Sequence, residues 1–352
     1  MDLCPLSRPS PAALLRQGQS SNFFSCNAGP SFPHARCALN PSCGTGEETQ
    51  VKGRMFILGM GFVGEFFAAA LKSKGWAVSG TCTSAEKKKR LDEMGHHAFV
   101  FDAKNPLPEV LDVMRYHSHL LISIPPVPAI GDPMLQHKEL LNNSLKDGDL
   151  RWLGYLSSTS LYGDCSGAWV DEEFPARPTN ESARARLAAE EGWLQLGLDF
   201  EVAAHVFRLG GIYGPGRSSV GTILKQGNLS KNQVIRSSKH FISRVHVADI
   251  CQALNASIQN PSPGRIYNIV DDEPAPREEV FGFAERLVEK KWRDIVITKQ
   301  CEEHSPVLSS GAYRGGEKRV SNARMKKELG VKLIYPTYKS GLVSIIDQMA
   351  MP

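Results

Sequence analysis

Residues Arg54-Met55-Phe56-Ile57-Leu58 run straight into Gly59-Met60-Gly61-Phe62-Val63-Gly64, an apolar segment that ends in the spacing G-x-G-x-x-G. An apolar strand that turns through glycines into a helix leaves backbone N–H groups unpaired at the positive end of the helix dipole, which makes an anion site. Gly59 suits the sharp turn, Gly61 leaves room for a phosphate to approach the main chain, and Gly64 lets the new helix pack close to the strand. The pattern alone is weak, because glycines and small residues recur in many turns. Its context strengthens it: Phe62, Phe66, Phe67, Ala70 and Leu71 follow as an apolar helical run, and Trp76 to Thr81 reads as a second strand. Together they make a unit of about 30 residues, the size expected of a dinucleotide-binding strand–helix–strand. The pyrophosphate contacts are therefore expected from Gly59, Gly61, Phe62, Val63 and Gly64.

Beyond this unit, strand-like and helix-like runs alternate: Ser84–Met94 as a helix closed by Gly95, then Ala98–Asp102, Leu107–Met114, His119–Ile124, Met134–Leu145, Leu150–Ser157, Ser182–Leu196 and Glu201–Arg208. Such alternation predicts an α/β fold with a doubly wound parallel sheet of the Rossmann kind. After Gly214-Pro215-Gly216 the rhythm becomes irregular, with pieces at Gly221–Gln226, Val247–Ile258, Arg265–Val270, Arg277–Glu289 and Tyr338–Met349. The division this suggests is a dinucleotide-binding domain over 52–217 and a smaller, partly interleaved C-terminal substrate lobe over 218–352, with some elements returning to the first core.

Residues 1–48 have another character. They are rich in Ser, Pro and Ala, contain Arg8, Arg16 and Arg36 but no Lys, and carry only Asp2 as an acid before Glu47. That is the composition of an organelle transit peptide, with abundant Ser and Pro favouring a chloroplast (plastid stroma) over a mitochondrion; a disordered tail with no address is the alternative. The net charge of +4 over 352 residues is small and spread along the chain, so it does not indicate a nucleic-acid surface, although it does not exclude one. No apolar run approaches the ~20 residues that span a bilayer. Four of the eight cysteines lie in the leader and the others (Cys82, Cys165, Cys251, Cys301) are far apart, which suggests neither a disulfide framework nor a zinc site. The ten histidines show no metal-ligand spacing, so no metal is expected.

The end of the second strand bears on which dinucleotide is bound. An NAD site normally places an Asp or Glu there for the ribose 2′-hydroxyl, whereas this chain has Thr81-Cys82-Thr83-Ser84, with Glu86 followed by Lys87, Lys88, Lys89 and Arg90. Hydroxyls at Thr83 and Ser84 with a cation such as Lys87 nearby suit a 2′-phosphate, so NADP is favoured over NAD. Part of that basic run must be a solvated helix face, since four consecutive residues cannot point one way. Asp102, ending the third strand, suits the adenine edge or a plain turn.

A second constellation, Leu156-Ser157-Ser158-Thr159-Ser160-Leu161-Tyr162-Gly163-Asp164, resembles the extended short-chain dehydrogenase/reductase superfamily, which includes nucleotide-sugar epimerases and dehydratases. Three later motifs agree in order: Phe207-Arg208-Leu209-Gly210-Gly211-Ile212-Tyr213-Gly214-Pro215-Gly216 with R-x-x-x-x-Y-G-P-G, His246-Val247-Ala248-Asp249 with H-V-x-D, and Tyr267-Asn268-Ile269 with Y-N-(I/V). The resemblance covers about residues 54–345. It implies that Ser158 hydrogen-bonds the substrate's carbonyl or hydroxyl, and that Arg217 contacts a substrate phosphate unless it is a surface residue. Ile122-Ser123-Ile124-Pro125-Pro126 stands where relatives place a loop beside the nicotinamide, which implicates Ser123 and Pro125.

The family's acid/base is a Tyr in Y-x-x-x-K, its phenol acidified by the Lys. Here, with Glu190 as anchor, Ser182 stands in the Tyr position and Arg186 in the Lys position. A Ser hydroxyl is too weak an acid for that role and Arg does not release a proton. Arg186 is left to anchor a ribose or phosphate, or to pair with Glu190 along an exposed helix face. Tyr162 is the nearest substitute phenol, although its counterpart in relatives usually packs. Glu172 and Glu173 fall in a segment similar to the family's acidic connector and are read as structural. The loss of Tyr-Lys marks atypical members, and the chain is most similar to the bacterial YeeZ-like group of short NAD(P)-binding proteins. The resemblance implies an NAD(P)-binding oxidoreductase or epimerase-like enzyme acting on a small carbonyl, alcohol or sugar-derived substrate, and a homodimer. The alternative is a non-catalytic, cofactor-sensing protein that binds RNA or an assembly partner in the organelle.

Overall fold

The computed structural model describes residues 52–225, 241–292 and 317–350. Contacts divide the chain into residues 1–48 and 49–352. The first unit, and with it the expected transit peptide, lies outside the described residues.

The elements are β1 (Arg54–Leu58), α1 (Phe62–Lys72), β2 (Ala77–Cys82), α2 (Ala85–Glu93), β3 (His97–Val100), α3 (Pro108–Asp112), β4 (His119–Ile122), α4 (Lys138–Leu145), β5 (Trp152–Ser158), β6 (Trp169–Val170), α5 (Glu181–Asp199), β7 (Ala203–Leu209), β8 (Gly211–Tyr213) and α6 (Ser219–Lys225). After these come β9 (Arg244–His246), α7 (Val247–Gln259), β10 (Arg265–Ile269), α8 (Arg277–Lys291), β11 (Arg319–Val320), α9 (Ala323–Leu329) and α10 (Tyr338–Gln348). Two expected helices are divided. Leu107–Met114 becomes α3 and a 3-10 turn at Val113–Tyr116, and Met134–Leu145 opens with a 3-10 turn at Leu135–His137. In the second case the Asp132 carboxylate accepts the N–H groups of Met134 (2.9 Å) and Leu135 (3.2 Å), which sets a tight turn ahead of the α-helix.

Seven strands form one sheet in the order β10-β7-β5-β4-β1-β2-β3, with every pair parallel. This is the doubly wound topology predicted from the alternation, with the chain reversing direction across the sheet between β1 and β4. The β1 register, Phe56 opposite both Ser79 and Leu120, makes it an interior strand, paired on both sides. Its residues Met55 to Leu58 are wholly buried because helices cover both faces, which is why the segment reads as a continuous apolar run rather than an alternation.

One face packs α1, α7 and α9 against Ile57, Phe67, Ile250 and Leu254, and the other packs α3, α4 and α5 against Phe56, Leu153, Tyr155 and Trp193. The helices start where capping chemistry dictates. Ser84 Oγ accepts Lys87 N–H at 3.2 Å to open α2, and Asn180 Oδ1 accepts Ala183 N–H at 2.9 Å to open α5.

The C-terminal third does two jobs. Strand β10 joins the main sheet beside β7, while α6, α8 and α10 gather Val220, Val280, Ala284, Trp292, Tyr338 and Ile345 into a separate apolar cluster. Two short parallel pairs, β8 with β9 and β6 with β11, stitch this lobe to the sheet.

Candidate functional site

The turn between β1 and α1 is built around Gly59, whose φ of +96° excludes a side chain without strain. The end of β2 fastens it: Gly59 N–H donates to Thr81 Oγ1 at 2.9 Å and Met60 N–H to the Thr81 carbonyl at 2.7 Å. Thr81 lies in the stretch weighed for cofactor preference, yet its role is to hold the turn. Gly64 is a packing requirement, since a Cβ there would come within 2.8 Å of the Gly59 carbonyl oxygen.

Gly61 is the reverse case: an added Cβ would meet nothing within 4 Å. Gly61 caps α1 with no side-chain hydrogen bond, so the helix begins open toward that space. A glycine turn, an uncapped helix N-terminus and free volume above it are what a pyrophosphate needs, and the residues present fit a dinucleotide. Phe62 and Val63 form the first turn of α1, with Val63 buried beneath it.

The remaining cofactor positions vary in what surrounds them. Thr83 is exposed and Ser84 half-buried at the mouth beside β2. Lys87 does not extend freely toward them: its Nζ is 2.8 Å from Glu65 Oε1, and Arg90 Nη2 is 3.0 Å from both oxygens of the same carboxylate. Asp102 accepts Lys104 N–H at 3.0 Å and Asn105 Nδ2 at 3.2 Å, the hydrogen bonds of a local turn, and the first of these chiefly holds its carboxyl below the ordinary value. Ser123 follows β4 and donates its N–H to Leu58 at 2.8 Å, with Pro125 exposed beyond it.

Past the end of β5 lies a cavity of about 720 Å³, bounded by Ser158 and Arg186 on one side and by α6, α8 and α10 on the other. Ser158 Oγ accepts Ser160 N–H at 3.2 Å, which leaves its hydroxyl proton free to donate elsewhere. Six cations border this cavity, namely Arg186, Arg217, Lys225, Arg244, Arg277 and Lys318, and among the described residues lining it there is no Asp or Glu. Burial holds the Arg244 guanidinium below the usual arginine value, with the Asp271 carboxylate opposing that effect. Arg217 also sits over the Phe62 ring at 5.5 Å, which joins this cavity to the first turn of α1. Lys225, Arg244, Arg277 and Lys318 carried no signal in local sequence, since they come from separate elements that only the folded lobe assembles.

Two sequence expectations are corrected here. Tyr162 is fully buried and does not border the cavity: its hydroxyl donates to Asn268 Oδ1 at 2.8 Å and receives Arg208 Nη1 at 3.0 Å. Burial pushes its phenol above the ordinary value, against the attraction of Arg208, so it is a packing and hydrogen-bonding strut rather than a substitute acid. Nor does Arg186 pair with Glu190 on an exposed face. Glu190 is 1 % exposed, and its carboxylate takes Arg208 Nη2 at 2.8 Å, both oxygens being 3.2 Å from Arg208 Nε, while Ser157 Oγ donates to it as well.

This buried chain, Ser157–Glu190–Arg208–Tyr162–Asn268, continues through Asn268 N–H to Glu172 Oε1 at 2.7 Å and fixes the strand ends beneath Ser158. Asp249 of the H-V-x-D segment is likewise structural, accepting the N–H groups of Ile334 at 2.6 Å and Tyr335 at 3.1 Å. Ser182 is exposed on the first turn of α5, one turn before Arg186, and does not itself border the cavity.

The sequence profile of the NAD dependent epimerase/dehydratase family matches residues 136–270. Protein YeeZ of Escherichia coli K12 is 26% identical over 289 residues, which are 80% of this chain and 96% of that protein. Among solved structures, a conserved protein of unknown function from Silicibacter pomeroyi DSS is 32% identical with a TM-score of 0.66, covering 83% of this chain and 98% of its own. A dTDP-glucose 4,6-dehydratase of Bacillus anthracis, solved in complex with NAD, shares the fold at 17% identity with a TM-score of 0.63, over 84% and 96% of the two chains. Among the described residues no helix is long and apolar enough to cross a membrane.

Proposed function

The chain belongs to the NAD-dependent epimerase/dehydratase family, and from that premise we propose that it is an NADP-binding, oxidoreductase- or epimerase-like enzyme whose small carbonyl, alcohol or sugar-derived substrate is an anion. The observation that carries this reading is the cavity beyond Ser158, bordered by six cations and, among the described residues, by no carboxylate. Such a field concentrates negative ligands and repels cationic ones.

A bound nicotinamide would supply or accept the hydride. The chain's own contribution is to orient and stabilise. The Ser158 hydroxyl, its oxygen already satisfied by Ser160, is poised to donate to a substrate oxygen. Arg186, a fixed charge in the position where relatives carry Lys, stabilises negative charge as it develops on that oxygen without exchanging a proton. The absence of an acidic strand-end residue after Thr81 supports NADP over NAD, and the composition of residues 1–48 supports import into a plastid.

One observation favours a second reading, a cofactor-sensing binding protein. With Ser182 in the Tyr position and Tyr162 buried, neither position weighed for proton transfer offers a phenol to the cavity, and the tyrosines that border it among the described residues, Tyr213 and Tyr338, donate their hydroxyls to the Thr337 carbonyl and to Glu279. Titration of residues 49–352 with NADPH and NADH, in wild type and Gly61→Asp, tests the cofactor site, and a panel of anionic carbonyl compounds and nucleotide sugars tests catalysis. Tight cofactor binding lost in Gly61→Asp, with turnover that falls in Ser158→Ala, is the expected result. Binding without turnover on any substrate would favour the sensor, and steeply salt-dependent binding of structured RNA would identify its partner.

A further inference from the structure

We propose that Glu65 sets how readily the dinucleotide site accepts a 2′-phosphate, by holding Lys87 and Arg90 against α1 and away from the ribose; the proposal rests on the cofactor reading above. The end of β2 is where a doubly wound fold meets the adenosine ribose, and in this chain it offers hydroxyls at Thr83 and Ser84 instead of a carboxylate. Lys87 starts one turn from those hydroxyls, its N–H donating to Ser84 Oγ at 3.2 Å. Its side chain turns toward α1, where Glu65, tied by its N–H to the Gly61 carbonyl at 2.9 Å, lies one turn below the phosphate-binding end.

Two α2 cations converge on this single carboxylate, Lys87 at 2.8 Å and Arg90 at 3.0 Å. Lys88, on a different face of α2, pairs instead with Asp92 at 2.5 Å. The side chains of Glu65, Lys87 and Arg90 are 24%, 28% and 58% exposed, so water screens the pairs and nothing buried resists their rearrangement. A 2′-phosphate carries about two negative charges and competes for the same cations with the single charge of Glu65. Once bound, it must still sit near that carboxylate and be repelled by it. Glu65 therefore lowers the discrimination in favour of the phosphorylated dinucleotide that the two cations would otherwise give.

The test is equilibrium binding of NADP+ and NAD+, followed by calorimetry, to the wild type, to Glu65→Gln, to Glu65→Gln/Lys87→Gln and to Lys87→Gln/Arg90→Gln. Removal of two competing, partly screened ion pairs raises the NADP+ to NAD+ affinity ratio about tenfold in Glu65→Gln. The gain shrinks as salt is added, and it is smaller in Glu65→Gln/Lys87→Gln, where only Arg90 is released. In Lys87→Gln/Arg90→Gln the ratio falls below that of the wild type, which tests the cations without touching Glu65. A ratio that stays constant or falls in Glu65→Gln, while both dinucleotides still bind, overturns the assignment of Glu65 alone. A wild type that binds neither dinucleotide overturns this proposal together with the cofactor reading.

Discussion

Replacing Glu190 with Leu removes the carboxylate that both Ser157 and Arg208 donate to in a buried hydrogen-bonded chain. The side chains of Arg208 and Glu190 are only 6% and 2% exposed, with Nη2 2.8 Å from Oε2 and Nε 3.2 Å from each oxygen. Glu190→Leu would leave the Arg208 guanidinium charged in the core with only the Tyr162 hydroxyl, and would strand the Ser157 hydroxyl as well. Breaking a buried ion pair from one side costs about 3–5 kcal/mol, because the surviving charge keeps its desolvation penalty without its partner. In a unit of this size that corresponds to a melting midpoint lower by about 5–8 °C.

The double variant Glu190→Leu/Arg208→Met discards both charges and regains most of that loss, so the cycle gives a coupling energy of at least about 2 kcal/mol. The assay is urea unfolding of residues 49–352, followed by circular dichroism and tryptophan fluorescence. A single-variant loss below about 1 kcal/mol, or losses that simply add in the double variant, would refute the view that this pair behaves as a buried ion pair.

The other predictions concern acid stability, the glycine turn and the cavity. His205 is fully buried, with Nε2 accepting Ser262 N–H at 2.9 Å, and burial pushes its pKa from 6.5 down to about 4. Its neutral form is therefore the folded one: its contribution is complete above pH 6.5, is lost as pH falls toward 4, and amounts to about 3 kcal/mol. His205→Phe should reduce the loss of stability between pH 7 and pH 4.5 in denaturant titrations, and an unchanged pH slope would remove His205 as its source. Gly64→Val forces a Cβ against the Gly59 carbonyl at 2.8 Å, so dinucleotide affinity should fall at least about tenfold in calorimetry while the sheet's far-ultraviolet signal persists. If the site is catalytic, Ser158→Ala should lower kcat by about 100-fold and leave cofactor affinity unaltered, whereas Arg186→Ala should raise KM for anionic substrates with a strong dependence on salt.

Much of this architecture was legible in the chain because it depends on short-range pattern. The continuous apolar run from Met55 to Leu58, the glycines at 59, 61 and 64, and the Ser84 cap each act within a few residues of themselves, and alternation of strand and helix leaves few topologies open. The four ordered motifs from Ser158 to Asn268 likewise implied the family, and the missing Tyr and Lys were visible as Ser182 and Arg186. What could not be read was which charges meet. Glu190 looked like a neighbour of Arg186 at helical spacing, yet α5 turns it inward to Arg208 on β7, and Lys87 looked like a partner for a cofactor until α1 presented Glu65 to it. The cations of the cavity come from α5, the loop before α6, α6 itself, β9, α8 and the segment before β11, a set with no spacing to recognise. Backbone turns and apolar periodicity are local, so residues near in sequence determine them; ion pairing and cavity charge depend on distances of a few ångströms between residues far apart in the chain, and those distances exist only once the sheet and its lobe have packed.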